Sequence, residues 1–221
     1  MEKHIVKVLA IDDITHNVKR FIVEKPTGYT YIPGQATDVA IKQPGLENEL
    51  RPFTFTSLPT ADYLEFIIKI YNGHSGITRQ LGNLQTGDEL IIHEVFGAIQ
   101  YKGPGIFIAA GAGITPFIAI LRHLRQRGDL NGNVLLFSNH TIGDIILNDE
   151  LKDLLGERCI DILSIPPPGA EKMLIDKELI AACLNHTANW FYICGPEQFT
   201  LDMVGILHKL GVSSAQIIIE Q

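Results

Sequence analysis

Four short stretches of the 221-residue chain combine residue types that chemistry needs. Gly111-Ala112-Gly113-Ile114-Thr115-Pro116 stands between an apolar run and an amphipathic one. Its glycines let the backbone approach a ligand, Thr115 suits a helix cap, and Pro116 suits a first helical position. A helix that starts this way presents free amides, and a diphosphate suits them, which makes a dinucleotide the favoured ligand. The third glycine of the usual dinucleotide fingerprint is absent, and a tight strand-to-helix turn without a ligand reads the same, so this segment alone leaves both readings open.

The other three stretches are extended or turn-like. In Arg51-Pro52-Phe53-Thr54-Phe55-Thr56-Ser57 a cation, aromatic rings and hydroxyls alternate, so arginine and hydroxyls can serve a phosphate or heterocycle while a ring stacks on it. The plain alternative is an exposed strand. Asn72-Gly73-His74-Ser75-Gly76-Ile77-Thr78 leads into a short helix and offers amides and hydroxyls to a phosphate. Cys194-Gly195-Pro196 follows a continuous apolar run, and a loop at the carboxyl end of a parallel strand faces the ligand crevice of such sheets.

Apolar periodicity shows which elements must position these stretches. Up to about residue 95 the runs are short and alternating: Ile5-Val6-Lys7-Val8, Val18-Lys19-Arg20-Phe21-Ile22-Val23, Thr37-Asp38-Val39-Ala40-Ile41 and Leu64-Glu65-Phe66-Ile67-Ile68-Lys69-Ile70. Turn signals such as Pro26-Thr27-Gly28, Pro33-Gly34, Pro44-Gly45 and Thr86-Gly87-Asp88 space them as a small antiparallel barrel, helical only at 78–84. Beyond Lys102-Gly103-Pro104-Gly105 the apolar runs become continuous, at 106–110, 134–137, 160–163, 190–193 and 217–219. Continuous runs are strands buried on both faces. Amphipathic stretches at 115–127, 147–155, 176–184 and 196–210 separate them. The expected fold is an antiparallel β-barrel over residues 1–100, then a doubly wound parallel-sheet α/β domain over 101–221.

Composition removes several classes of function. Eighteen basic against 25 acidic residues leave a net charge of −7, which disfavours nucleic-acid binding. Cys159, Cys183 and Cys194 form an odd set without Cys-x-x-Cys spacing, arguing against a disulfide framework, a zinc finger or a resident iron-sulfur cluster and for a reducing compartment. His4, His16, His74, His93, His123, His140, His186 and His208 show no helical pairing, so no metal site is expected. No apolar stretch approaches the about 20 residues of a membrane span. Met1-Glu2-Lys3-His4 passes straight into strand-like sequence, so a cytoplasmic protein without a signal peptide is expected. Arg122, His123, Arg125 and Arg127, beside the apolar Phe117, Ile120, Leu121 and Leu124, read as a solvated helix face, with a docking patch for an acidic carrier as the alternative.

The order Arg51-Pro52-Phe53-Thr54, Gly76-Ile77-Thr78, Gly111-Ala112-Gly113-Ile114-Thr115-Pro116, Cys194-Gly195-Pro196 resembles the ferredoxin-NADP reductase superfamily, in its short bacterial flavodoxin or ferredoxin reductase form. The resemblance covers nearly the whole chain. It implies a flavin-binding barrel joined to a nicotinamide-nucleotide domain, with hydride passing from NADPH or NADH to FAD and single electrons leaving to a separate flavodoxin, ferredoxin or similar acceptor. By the same resemblance Arg51 would pair with the flavin diphosphate and Phe53 would pack on the isoalloxazine, with Pro52 between them. Thr54 would hydrogen-bond the ring nitrogen that accepts hydride, and Gly76, Ile77 and Thr78 would hold phosphate. Gly111, Gly113 and Thr115 would meet the dinucleotide, as would the Cys194-Gly195-Pro196 loop, whose Cys194 would lie near the reacting nicotinamide carbon. Glu220 resembles an acidic residue close to the flavin.

The family's usual tyrosine is Phe53 here and its serine is Thr54, which keeps a ring and a hydroxyl. Plant-type members end in an aromatic residue over the flavin, whereas Glu220-Gln221 has no ring, so an uncovered nicotinamide face is expected. Ser138-Asn139-His140-Thr141 contains neither an acid for a free ribose nor an arginine for a ribose phosphate, and Ser138 and His140 suit either coenzyme. Two other functions fit the same residues: a flavin reductase or NADH-linked subunit of a larger redox complex, and a nucleotide-binding module for sensing or assembly without turnover.

Overall fold

The alternating and the continuous apolar runs build two different sheets. The computed structural model describes residues 3–71, 73, 76–97, 99–184 and 190–220, and the chain divides into two compact units, Met1–Gly97 and Ala98–Gln221. Met1, Glu2, Asn72, His74, Ser75, His186 and Gln221, on which sequence readings rest, lie outside the described residues.

The first unit holds β1 (Lys3–Thr15), β2 (Val18–Glu24), β3 (Ala36–Ile41), β4 (Arg51–Thr54), β5 (Tyr63–Lys69), α1 (Ile77–Leu81) and β6 (Glu89–Phe96). The strands lie in the order β4-β3-β6-β1-β2-β5, every pair antiparallel. The outermost two meet just beyond Thr54, where the Thr56 N–H donates to Glu65 O at 2.9 Å and the Glu65 N–H to Ser57 Oγ at 2.9 Å. These bonds close the expected barrel. β1 turns a corner, pairing its first residues with β6 and the remainder with β2 across two register shifts. Val6, Val8, Phe21, Val23, Leu64, Phe66 and Ile68 lie at alternate positions and share the core. β6 shows no alternation in Leu90-Ile91-Ile92 because both its faces are covered, Ile91 included. α1 ends at Leu81 rather than at 84, turning at its C-cap Gly82, where a Cβ would lie 2.9 Å from Ile70 Cγ2.

The second unit holds β7 (Gly105–Ala110), α2 (Thr115–Arg127), β8 (Val134–Asn139), α3 (Asn148–Leu155), β9 (Cys159–Leu163), α4 (Lys177–Cys183), β10 (Trp190–Cys194), α5 (Glu197–Lys209) and β11 (Ile217–Ile219). The strands are all parallel, in the order β11-β10-β7-β8-β9. The chain builds outward from β7 to β9, then returns to the far side of β7 for β10 and β11. Ligands of such sheets bind where the order reverses, and the two loops that begin at Gly111 and Cys194 follow the strands flanking that reversal. Among the described residues no helix is long and apolar enough to cross a membrane.

The basic run on α2 is solvated at its end, where Arg125 and Arg127 are exposed, and tied down at Arg122. Arg122 makes a two-pronged pair with Glu150 of α3, Nη2 to Oε2 at 2.9 Å, Arg125 Nη1 donates to Asp153 O at 3.2 Å, and Arg127 pairs with Asp129 at 3.0 Å. For Arg122 and Arg125 the cause is packing: α2 lies against α3, and the long side chains of one helix reach the acceptors of the other.

Candidate functional site

In the barrel, β3 presents β4 with Val39 opposite Arg51, Asp38 opposite Pro52, Thr37 opposite Phe53 and Ala36 opposite Thr54. Arg51 and Pro52 are exposed, and the Arg51 guanidinium makes a single bond among the described residues, Nη1 to Leu50 O at 2.7 Å. Most of its donor fork is thus open to an anion. Phe53 is half-buried against the barrel core. The hydroxyls divide sharply. Thr56 Oγ1 donates to Glu65 Oε1 at 2.7 Å and Ser57 Oγ lies 2.8 Å from the Tyr31 hydroxyl, so neither is the ligand-facing group that the alternation suggests. Thr54, only 9% exposed, has no hydrogen-bond partner for its hydroxyl among the described residues. The oxygen is not among the buried unpaired atoms, so it reaches the surface and is open to a ligand or to solvent.

Gly76 is the N-cap of α1, and Ile77, 3% exposed, is a core residue. Any phosphate there meets the amides of Ile77 and Thr78, not the Ile77 side chain. Among the described residues no hydrogen bond or ring contact joins Gly76, Ile77 and Thr78 to residues 51–54.

In the parallel-sheet unit, Gly111 to Ile114 form a 3-10 turn that runs directly into α2. Thr115 is therefore not a cap. Its Oγ1 donates back to Ala112 O at 3.1 Å, because the residue before it is already helical. Gly111 has φ +52°, a left-handed conformation that favours glycine. Gly113 serves a different need: a Cβ there would lie 2.2 Å from Cys194 O and 2.7 Å from Gly195 N. The missing side chain admits the neighbouring loop. Gly195 likewise has no room, with Phe199 Cδ1 at 2.8 Å, and Pro196 opens α5 as its N-cap. The glycines thus bring both motif loops into contact.

β10 and β11 pair Ile193 with Ile219, which sets Cys194 beside Glu220. The thiol donates to Glu220 Oε2 at 3.7 Å, and burial, followed by the Glu220 charge and hydrogen bond, pushes its pKa up to about 12. Cys194 is a neutral thiol at physiological pH. At pH 8 it should alkylate roughly a thousand-fold more slowly than an ordinary exposed cysteine. Glu220→Gln, by removing a charge that opposes thiolate formation, should speed the reaction. Mass spectrometry of iodoacetamide-treated protein checks both, and rapid labelling of the unaltered chain would refute the buried-thiol description.

Ser138, half-buried, is the last residue but one of β8 and pairs with Ala110. His140 Nδ1 lies 2.9 Å from Ser164 Oγ. Sequence reasoning missed Asn139, which is 7% exposed with neither carboxamide atom hydrogen-bonded among the described residues. The β7–β8 register sets it level with Gly111, and β8 touches the glycine turn. Its place at the carboxyl end of a parallel strand was the available signal.

Residues 3–97 match the family described as an FAD-binding domain and residues 107–204 the oxidoreductase NAD-binding domain. NADH-cytochrome b5 reductase 1 of Aspergillus terreus is 31% identical over 228 residues, 92% of this chain and 76% of its own length. The reductase component of propane 2-monooxygenase from Rhodococcus jostii is 27% identical over 96% of this chain, which spans only 61% of that relative. The CS-b5R domains of human Ncb5or, solved in an NAD+ form, share 26% identity and superpose with a TM-score of 0.84 over 99% of this chain and 69% of theirs. With an FAD-binding and an NAD-binding domain in this order, the chain belongs to the ferredoxin-NADP reductase-like family of flavoprotein reductases, which includes the cytochrome b5 reductases.

Proposed function

We propose that the chain is an NAD(P)H-dependent flavoprotein reductase that passes electrons to a separate one-electron acceptor. The observation that carries this reading is Thr54, whose hydroxyl stays unbonded while Thr56 and Ser57 are spent on the barrel seam. A flavin, when bound, supplies the chemistry that takes a hydride pair and releases electrons singly. Arg51 would hold its diphosphate by charge-assisted bonds, Thr54 would fix the ring edge, Phe53 would give it an apolar support, and the amides at Gly76, Ile77 and Thr78 would receive phosphate. In the parallel-sheet unit Gly111, Gly113, Thr115, Ser138 and the loop Cys194-Gly195-Pro196 shape the dinucleotide site. Cys194 would present a protonated sulfur to that site, and Glu220 would orient its S–H.

Asn139 supports the fit of a dinucleotide. An unpaired buried amide costs about 1 to 3 kcal/mol, and a ligand that bonds it recovers that cost. Asn139→Leu should therefore stabilise the nucleotide-free protein by about 1 kcal/mol in urea unfolding. Dinucleotide affinity should fall roughly ten-fold. A variant that binds as tightly as the parent would remove Asn139 from the site.

The relatives supply a haem-protein reductase and an oxygenase reductase component by name. We therefore place the acceptor in the broad class of one-electron carrier proteins, with ferredoxin and flavodoxin among the candidates. The test is an anaerobic titration of purified, FAD-loaded protein with NADH and with NADPH, then a panel of ferredoxin, flavodoxin, b-type cytochrome and free flavin. Bleaching of bound flavin with carrier reduction supports the proposal. Turnover of free flavin alone would make it a flavin reductase. A protein that binds dinucleotide yet refuses flavin would be a binding module.

A further inference from the structure

We propose that Tyr192 is a positioning residue for hydride transfer: its hydroxyl pins residues 101–103, where the chain enters the parallel-sheet unit, and keeps the join between the two domains stiff. The role rests on the reading that FAD binds in the barrel and the dinucleotide on the parallel sheet. The matched domains end at residue 97 and begin again at residue 107, so the pinned segment belongs to the join. Tyr192 lies fully buried in β10. Its hydroxyl accepts from the Lys102 N–H at 2.9 Å and the Gly103 N–H at 3.1 Å, and donates to Gly103 O at 2.8 Å. All of these partners are backbone groups of the join.

The sheet needs the ring of Tyr192 but not its hydroxyl. The ring packs between Phe107 at 4.5 Å and Tyr101 at 5.8 Å, centroid to centroid, and phenylalanine would fill the same space. A buried hydroxyl is costly unless it is bonded, and this one is bonded to the join. Other groups hold the same segment. The Tyr101 hydroxyl donates to Asn133 Oδ1 at 3.3 Å, and that oxygen, on a fully buried side chain, also accepts from the Gly105 N–H at 3.1 Å. Gly103, with φ +155°, rests against the Trp190 indole, where a Cβ would lie 3.1 Å from Nε1. Burial pushes the Tyr192 hydroxyl up to about 12, against the pull of the Lys102 and Gly103 N–H groups, so it keeps the proton it donates. Such fixation matters for the chemistry. Hydride crosses between ligands of different domains, and a misplacement of about 1 Å costs a reaction on the order of a hundred-fold.

The experiment is anaerobic stopped-flow mixing of FAD-loaded protein with NADH or NADPH, whichever bleaches the parent. Tyr192→Phe keeps the ring and loses the three hydroxyl bonds. At saturating coenzyme its flavin should be reduced roughly ten-fold more slowly. The coenzyme concentration for half the maximal rate and the FAD affinity should stay at the parent values. Brief trypsin treatment should cut the folded variant after Lys102, a bond the parent resists, and a parent cut equally fast refutes the pin. Reduction at the full rate overturns the proposal, and a lower Tm beside it makes Tyr192 a structural residue only. Equal losses in rate and coenzyme affinity also overturn it, since the dinucleotide site itself is then damaged. Should Tyr192→Phe not fold, Gly103→Ala presses a methyl group against Trp190, the single tryptophan, whose fluorescence reports the displaced segment. Shifted emission with unchanged hydride transfer refutes the idea. A parent that neither coenzyme bleaches means that the reductase reading has failed. A bleached parent beside an equally fast variant means that only the role of Tyr192 has failed.

Discussion

Gly113→Ala should destabilise the parallel-sheet unit by about 3 kcal/mol, the upper end for overpacking, and lower its Tm by roughly 10 °C. The added Cβ would meet Cys194 O at 2.2 Å, Cys194 C at 2.5 Å and Gly195 N at 2.7 Å. All three are backbone atoms, so no side-chain rotation relieves the clash. The Cys194-Gly195 peptide has to move, and with it the thiol that now reaches Glu220. Dinucleotide affinity should fall together with stability. Gly111→Ala is the control, because its Cβ meets nothing within 4 Å and only the φ of +52° is strained. It should cost about 1 kcal/mol. Urea unfolding of both variants compares a steric effect with a conformational one in the same turn. Equal, small losses would mean that the two loops do not hold each other in place.

Arg51→Ala should weaken FAD binding ten- to a hundred-fold while leaving the fold intact. A hydrogen bond to a charged group contributes about 1.5 to 3 kcal/mol, and that range converts to those factors. Stability should hardly change, because Arg51 is exposed and its one described bond is to the carbonyl of the residue before it. Arg51→Lys keeps the charge but loses the planar fork, and should fall between the parent and the alanine variant. Flavin fluorescence titration gives the affinities and circular dichroism the fold. FAD affinity equal to the parent's in the alanine variant would detach Arg51 from the diphosphate.

Hydrophobic periodicity is a local property, and for that reason most elements could be read from the chain alone. The amphipathic stretch 115–127 is α2 to the residue, α5 is the stretch 196–210 less one residue at each end, and each continuous apolar run is a strand of the parallel sheet. The motif loops at Gly111 and Cys194 lie at strand carboxyl ends for the same reason: they directly follow such runs. Residue type and spacing thus determined which groups are offered to a ligand. Which of them remain free was decided by the tertiary structure. Thr54, Thr56 and Ser57 look alike in the sequence, but the register that brings Glu65 to the seam uses two of the hydroxyls and leaves Thr54. Arg122 looks like part of a solvated face until α3 brings Glu150 to it, 28 residues away in the chain. That Gly113 has to admit the Cys194-Gly195 backbone shows only in the fold, and Asn139 looks unremarkable until packing buries it without a partner among the described residues. Each of these outcomes depends on contacts between residues distant in sequence, and a hydrogen-bonding group or a free volume once taken by the fold is no longer available to a ligand.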